Sequence, residues 1–461
     1  MLDINLIRAD PSLVEKSLKR RNDEEKLSWL HDLIEKDRLW RALKQEADLL
    51  RQRRNQVSAD IDKAKRAGQD FSGFVQEAKS IPEKIKEKES LLAPLEEKIN
   101  YYLMRLPNLL HESVPFGKDD SANVVLQKWG KPKKPAFELK HHGLLAAELG
   151  IADFERAVKI SGAGFFYLKG ALALLDLALQ RYAIDILLRK GFTLVQPPFL
   201  MKRKPYEGVV DLADFEKVMY KIENEDLYLI ATSEHPMAAM FQNEILEESQ
   251  LPMRFAGISA CFRKEIGKHG LDERGFFRVH QFNKIEQFVF CRPEDSWKEF
   301  EALAKNSEEL LKGLNIPFQM VNVCTGDIGV IAAKKYDING WSAREGKFIE
   351  LMSCSNCTDY QARRLGIKFR KKNGEKETLH TLNDTMVATT RTLRCIIENN
   401  QTKEGAIKIP KILQKYMNGM KEIAPPPKAS KTAKKEKPGK AGKKQNSAKK
   451  PNAMGKKGKK K

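Results

Sequence analysis

The sequence has no run of 18 or more apolar residues, which excludes a membrane-spanning helix. Its first ten residues carry Asp3 and Asp10 and no long apolar stretch, so no secretory leader is expected. Cysteine is sparse. The six thiols (Cys261, Cys291, Cys324, Cys354, Cys357, Cys395) all lie in the second half of 461 residues, too few for a disulfide framework, and a reducing cytoplasm is expected. The glycine fingerprints of dinucleotide-binding and P-loop folds are also missing. What the chain has in excess is positive charge, formally +21, but this is concentrated. Residues 425–461 hold 15 Lys and one Glu, leaving only +7 for the rest. That tail has almost nothing to bury against ordering entropy; it reads as disordered and suited to a polyanion, with a purely solubilising role or a nuclear signal as alternatives.

Residues 27–104 carry a heptad pattern: Leu33, Trp40, Ala47 and Ile61 on one spacing, with Arg54 the exception, and Leu43, Leu50, Val57 and Ala64 on its companion. The breaker stretch Ala67–Gly73 interrupts it. A second register follows in Ala78, Ile85, Leu92 and Ile99 with Ile81, Leu95 and Tyr102. This predicts two long helices folded back as a hairpin, the first of about 38 residues and roughly 57 Å. Arg51, Arg53, Arg54, Lys63, Lys65 and Arg66 gather toward its tip. Taken alone, such a cluster is more often an ordinary solvated face than an RNA contact, and acids nearly balance the bases over the whole hairpin.

Pro107, Pro115, Gly117, Gly130, Pro132 and Pro135 mark a linker. Beyond it, a helix over 171–190 runs into a strand within Gly191–Leu200. Strand-like runs follow at 227–231, 254–262, 281–291, 318–323 and 348–354, with helical patterns at 296–314 and 386–398. Few parallel crossovers fit between them, so a largely antiparallel sheet with helices on one face is predicted.

Arg263-Lys-Glu265, a ten-residue stretch, and Phe276–Phe282 read as two strands joined by a long loop. Arg263 and Arg391 could offset a triphosphate, an arginine fork binding phosphate bidentately, and Phe282 could stack on a base. Taken singly, a strand phenylalanine is usually core and a loop arginine usually solvated. Cys354 and Cys357 supply two ligands where structural zinc takes four. His141 and His142, paired in the linker, suit packing or surface better than metal, and His235 and His280 flank the site segments without an assigned catalytic role.

Taken together, these segments are specific. Gly191–Leu200 with Pro197, Phe262-Arg-Lys-Glu265 through Phe282, and Leu382-Asn-Asp-Thr-Met-Val-Ala-Thr-Thr-Arg391 resemble motifs 1, 2 and 3 of class II aminoacyl-tRNA synthetases. Thr232-Ser-Glu234, Ser353-Cys-Ser-Asn-Cys-Thr-Asp-Tyr-Gln-Ala-Arg-Arg364 and Pro107-Asn-Leu-Leu-His-Glu-Ser113 narrow the resemblance to seryl-tRNA synthetases of the archaeal and eukaryotic type, from Met1 to about residue 418. The resemblance implies an α+β protein: an antiparallel coiled-coil hairpin followed by a class II catalytic domain on an antiparallel sheet flanked by helices. It divides the chain into a tRNA-binding arm (1–105), a linker and entry (106–165), a catalytic domain (166–424) and the tail (425–461).

The same resemblance implies that Arg263, Lys264, Glu265, Val279, Phe282, Glu350, Leu351, Met352, Ser353 and Arg391 meet ATP, Val279 through its backbone and Phe282 by stacking. Glu350 and Ser353 would hold Mg²⁺, in keeping with its taste for carboxylate and hydroxyl oxygens. Thr232, Ser233, Glu234, Arg263, Glu286, Asn383 and Thr385 would surround L-serine. Arg263, Arg391 and Glu350 would be catalytic, acting by positioning and charge offset. The implied partners are tRNA(Ser), held by the basic tip (Arg51, Arg53, Arg54, Lys63, Lys65, Arg66), and a second copy of the chain in a homodimer joined through motif 1. The family often serylates tRNA(Sec) too, which depends on whether the cell holds that tRNA.

Three positions depart from the family pattern: Leu271, in the motif 2 loop where many relatives carry arginine, and Asn339 and Ala343, in place of an acid and a proline. Leu271, Asn339 and the lysine-rich tail motivate an alternative, a non-enzymatic RNA-binding or scaffold descendant, although the ligand positions named above are intact. A sister class II synthetase fits less well, since only residues 392–424 separate motif 3 from the tail. A carrier-protein aminoacylating relative would lack the long hairpin.

Overall fold

The heptad residues fold as the predicted hairpin. The computed structural model describes residues 1–212, 215–265 and 275–425; Leu271 and the lysine-rich tail beyond Pro425 lie outside them. Helix α1 (Glu24–Arg66) spans 43 residues, roughly 64 Å at 1.5 Å per residue. It starts earlier than predicted because the Asp23 carboxylate accepts the Lys26 N–H at 3.0 Å, capping the first turn. Helix α2 (Ser72–Leu103) begins inside the breaker stretch, where the Asp70 carboxylate takes the Ser72 N–H at 2.9 Å. Leu33, Leu43, Ala47, Val57 and Ala64 of α1 are buried, as are Ile81, Ile85, Leu92, Ile99 and Tyr102 of α2. Trp40, Leu50 and Ile61 are half-buried along the same seam. At its base the seam takes in an acid, Asp37, offset by Arg8 at 2.6 Å and Arg41 at 2.9 Å.

The hairpin is rooted by a cluster of Leu2, Ile7, Val14, Leu18, Leu30, Leu33, Ile99, Tyr102, Leu103 and Leu106 around Tyr360. Tyr360 Oη donates to the Leu106 carbonyl at 2.6 Å. Residues Met1–Pro425 form one compact unit.

The sheet begins in the linker. Strand β1 (Val124–Trp129), which the proline-rich composition hides, forms one edge. Helix α3 (His142–Glu148) and helix α4 (Gly170–Arg189) lead to β2 (Thr193–Val195), β3 (Met253–Phe262) and β4 (Gln281–Cys291). Helix α5 (Ser296–Leu314) precedes β5 (Phe318–Asn322), β6 (Lys334–Ser342), β7 (Lys347–Asn356) and β8 (His380–Ala388), and α6 (Thr389–Asn400) follows. The order is β1-β5-β6-β7-β8-β4-β3-β2, with every pair antiparallel except β3 with β2. Helices α4, α5 and α6 contribute Leu175, Leu179, Phe300, Leu311, Leu393 and Ile396 to the core on one side of this sheet.

Met386–Ala388 belong to β8, not to the start of a helix, because Val387 and Ala388 pair with Ile285 and Lys284. Arg263–Glu265 and Phe276–His280 form no strand: β3 ends at Phe262, and the second half of the motif 2 segment joins the ladder at Gln281, opposite Phe262.

Candidate active site

Two β-bulges shape the site. In the β6–β7 ladder Met352 pairs with Ile338 and Glu350 with Asn339, so Leu351 is an extra residue. A bulge re-aims the strand. Here it brings Glu350 and Ser353, three apart in sequence, to the same face. In the β8–β4 ladder Thr385 pairs with Glu286 and Val387 with Ile285, so Met386 is extra and Thr385 and Ala388 share a face. All four line one cavity of about 370 Å³, together with Arg263, Phe282, Glu234, Asn383 and Arg391.

One end of the cavity is carboxylate-rich. Glu286 Oε2 lies 2.6 Å from Lys284 Nζ, and Thr385 Oγ1 lies 3.5 Å from that oxygen. Glu234 Oε1 accepts from Asn383 Nδ2 at 3.1 Å and Gln361 Nε2 at 3.2 Å. Burial, reinforced by Glu286, pushes the Glu234 carboxyl up to about 7 against the pull of Lys284. Burial likewise raises Glu286. Two acids beside one lysine suit a ligand that brings its own cation.

The other end is cationic. Arg391 Nη1 lies 3.2 Å from Glu350 Oε1, and its guanidinium sits 5.4 Å from the centre of the Phe277 ring. Arg263 lies 5.2 Å from the Phe282 ring centre. Lys335 lines the wall, 3.1 Å from Asp337. Desolvation opposes ionisation of Glu350, but Arg391 and then Lys335 hold its carboxyl below the usual range. Aromatic rings backed by arginines, beside a carboxylate and a hydroxyl on one face, have the chemistry that suits a base joined to phosphates.

Residues 1–110 match the seryl-tRNA synthetase N-terminal domain family, and residues 217–400 match the class II tRNA synthetase core domain family for G, H, P, S and T. The serine–tRNA ligase of Methanocella arvoryzae is 57% identical over 425 residues, 92% of this chain and 100% of that protein. The chain belongs to the seryl-tRNA synthetases. The Thermococcus sibiricus serine–tRNA ligase is 48% identical over 452 residues, covering 94% of this chain and 99% of its own. Among solved structures, Pyrococcus horikoshii seryl-tRNA synthetase complexed with ATP superimposes with a TM-score of 0.89 at 46% identity, covering 92% of this chain and all of that one. The cytoplasmic Naegleria fowleri enzyme in complex with AMP gives 0.83 at 36%, covering 92% and 99%.

In this synthetase the cavity gathers Glu234, Arg263, Glu265, Val279, Phe282, Glu286, Glu350, Leu351, Met352, Ser353, Asn383, Thr385 and Arg391. Thr232 and Ser233 are not in its lining: both are buried, and Thr232 Oγ1 accepts the Glu234 N–H at 3.2 Å. Lys264 also lies outside the lining, its ammonium 5.9 Å from the Tyr220 ring centre. The six basic residues predicted to meet tRNA are all on α1. Arg53 makes two 2.7 Å bonds to Glu77, and Arg51 bonds Glu89 at 2.7 Å, both across the hairpin. Arg54, Lys63 and Arg66 make no ion pair with the described residues.

Sequence reasoning missed Lys284, Lys335, Phe277 and the Gly329–Ala332 segment of the lining. Lys284 had a signal, since period-two alternation puts it on the face of Glu286. Lys335 had none, since no strand is legible over β6, and Gly329–Ala332 belong to an irregular segment with no periodic pattern.

His142 proves to be a packing residue. It is fully buried, its Nδ1 2.7 Å from Glu398 Oε1 and its Nε2 accepting the Phe276 N–H at 3.0 Å. With both ring nitrogens engaged it leaves no lone pair for a metal, although His141, His142 and Glu398 bring ligand atoms within 4.8 Å of one another. His235 Nδ1 lies 2.9 Å from Tyr206 Oη, and His280 Nδ1 lies 2.8 Å from the Arg263 carbonyl. Cys354 faces the core while Cys357 lines the cavity, so the two thiols share no site. Of the departures, Asn339 pairs with Glu350, where an acid would crowd a second carboxylate. The Ala343 N–H donates to Asn399 Oδ1 at 2.9 Å, a bond proline cannot make.

Proposed function

We propose that serine binds at the carboxylate-rich end of the cavity and ATP at the cationic end. The observation that carries this reading is the shared face made by the two bulges, which sets Thr385 opposite Glu286 and Glu350 beside Ser353 in one cavity. Glu234 and Asn383 take the serine ammonium region, and Glu286 with Thr385 reads the hydroxyl. A side chain without that hydroxyl leaves buried polar groups unpaired, which is how such a site rejects alanine. Thr232 and Ser233 support the Glu234 turn from beneath.

The reaction joins serine to tRNA in two steps. The serine carboxylate attacks the α-phosphorus of ATP, forming seryl-adenylate as pyrophosphate leaves; a ribose hydroxyl of the terminal adenosine of tRNA(Ser) then attacks the carbonyl, releasing AMP. Phe282 and the Val279 backbone hold adenine, while Lys264 and Glu265 border the site. Arg263 and Arg391 offset developing charge. The family uses Mg²⁺, and the cavity fits it: the Glu350 carboxylate and Ser353 hydroxyl share a face and offer hard oxygen ligands. Bound there, the ion supplies charge offset to the phosphates.

The proposal gives the arm to tRNA, through Arg54, Lys63, Lys65 and Arg66 foremost. It also gives the exposed Leu177 and Leu188 of α4, Leu194 of edge strand β2, and nearby Leu200 to a second copy, making a homodimer. The reaction is placed in the cytoplasm, where six free buried thiols are stable; no described helix is long and apolar enough to cross a membrane. Charging of tRNA(Ser) and tRNA(Sec) transcripts with labelled serine, with sedimentation of the protein alone, tests these assignments. Serine transfer to tRNA(Ser) by a dimer is expected; a monomer, or no charging, contradicts them. Charging of tRNA(Sec) decides whether the second tRNA is served.

A further inference from the structure

Behind the strands that carry Glu286 and Thr385 lies a second polar layer that lines no part of the cavity. Period-two alternation sends Gln287 of β4 and Asp384 of β8 to the opposite face, against α5, where they pair directly across the ladder. Asp384, Gln287 and Ser307 are fully buried, and Asn306 nearly so. Asp384 Oδ2 accepts from Ser307 Oγ at 2.6 Å and from Gln287 Nε2 at 2.9 Å. Gln287 Oε1 in turn accepts from Asn306 Nδ2 at 2.8 Å. The Ser307 hydroxyl also lies 3.4 Å from the Thr385 carbonyl oxygen.

Burying four polar side chains stabilises little, since apolar groups of the same shape often serve as well. What such a network supplies is a unique register. Register is at stake here. The ladder shifts immediately after Thr385, at the Met386 bulge, and a one-residue slip would turn the Thr385 hydroxyl away from Glu286.

We propose that Asp384, anchored to α5 through Ser307, is a positioning residue that locks Thr385 opposite Glu286 and so sets the affinity for serine. This rests on the reading of Glu286 and Thr385 as the serine-hydroxyl site. Burial pushes the Asp384 carboxyl well above the ordinary range, so asparagine reproduces the shape of its neutral form.

The test is serine-dependent ATP–pyrophosphate exchange by the full chain, with KM for serine and ATP measured separately for Asp384→Ala, Asp384→Asn, Ser307→Ala and Thr385→Ala. Asp384→Ala and Ser307→Ala are expected to raise the serine KM about tenfold, as small misplacements of binding groups do, with the ATP KM held within about twofold. Asp384→Asn should recover most of the loss. Should Asp384→Ala fail to fold, Ser307→Ala and Asp384→Asn carry the comparison. If Thr385→Ala raises the serine KM while Ser307→Ala and Asp384→Ala do not, or if these two raise both KM values equally, the positioning role is wrong. If Thr385→Ala itself leaves the serine KM unchanged, the serine-site reading fails and the positioning role falls with it.

Discussion

Lys284 Nζ and Glu286 Oε2 lie 2.6 Å apart at the floor of the cavity, both side chains almost wholly buried. They are two residues apart on β4, so they share the face that looks into the site. The lysine opposes the burial that raises Glu286, favouring a carboxylate that can accept a hydrogen bond from an incoming hydroxyl.

Lys284→Met should therefore act on both stability and serine affinity. Removing one partner of a buried pair costs on the order of 3–5 kcal/mol, read as a lower urea midpoint. The serine KM should rise as Glu286 takes up a proton. Unchanged midpoint and unchanged KM would show that the pair is dispensable.

Glu234 gives the site a pH dependence. Its carboxyl is raised to about 7, by burial first and by Glu286 second. Below that pH it is protonated and loses the charge that attracts an ammonium group, so kcat/KM for serine should fall as pH drops through about 7. Glu234→Gln should lower kcat/KM and flatten that limb. The same limb surviving in the variant would assign the titration to another group.

Gly257 on β3 pairs directly with Glu286, and a Cβ there would lie 2.6 Å from Ser233 Oγ and from Met237 Cε. Methionine can move, but Ser233, between Thr232 and Glu234, is fully buried. Gly257→Ala should cost about 1–3 kcal/mol of overpacking. It should raise the serine KM more than the ATP KM in pyrophosphate exchange; an equal rise in both would mean the turn does not transmit the strain.

The arm offers a comparison within one element. Arg51 and Arg53 are engaged with Glu89 and Glu77 across the hairpin, whereas Arg54 and Lys63 have no acidic partner among the described residues. Neutralising Arg54 or Lys63 should weaken tRNA binding and reduce the slope of log affinity against log salt by about one each. Arg51→Gln and Arg53→Gln should leave that slope close to the parent value. Equal slopes for all four variants would remove the distinction.

What the sequence displays openly is whatever is repeated or contiguous. The hairpin follows from the heptad positions Leu33, Leu43, Ala47 and Val57, and α5 (Ser296–Leu314) matches its predicted bounds because its apolar period is uninterrupted. The motif segments are contiguous as well, so Arg263, Phe282 and Arg391 are legible without any geometry. Nothing local announces the bulges at Leu351 and Met386, since an extra strand residue is defined only by the partner strand. For the same reason Met386–Ala388 read as helix, their apolar run being equally compatible with either period. For His142 the sequence leaves packing and surface both open, because its partners, Glu398 and the Phe276 N–H, are 256 and 134 residues away.

One cavity is expected to activate serine with ATP before any tRNA is present. The most direct measurement is ATP–pyrophosphate exchange by the purified protein with each amino acid in turn, without tRNA. Exchange stimulated by serine, and by alanine or threonine only at far higher concentration, is the predicted result. No exchange with serine, from folded protein that still binds tRNA(Ser), would contradict the account.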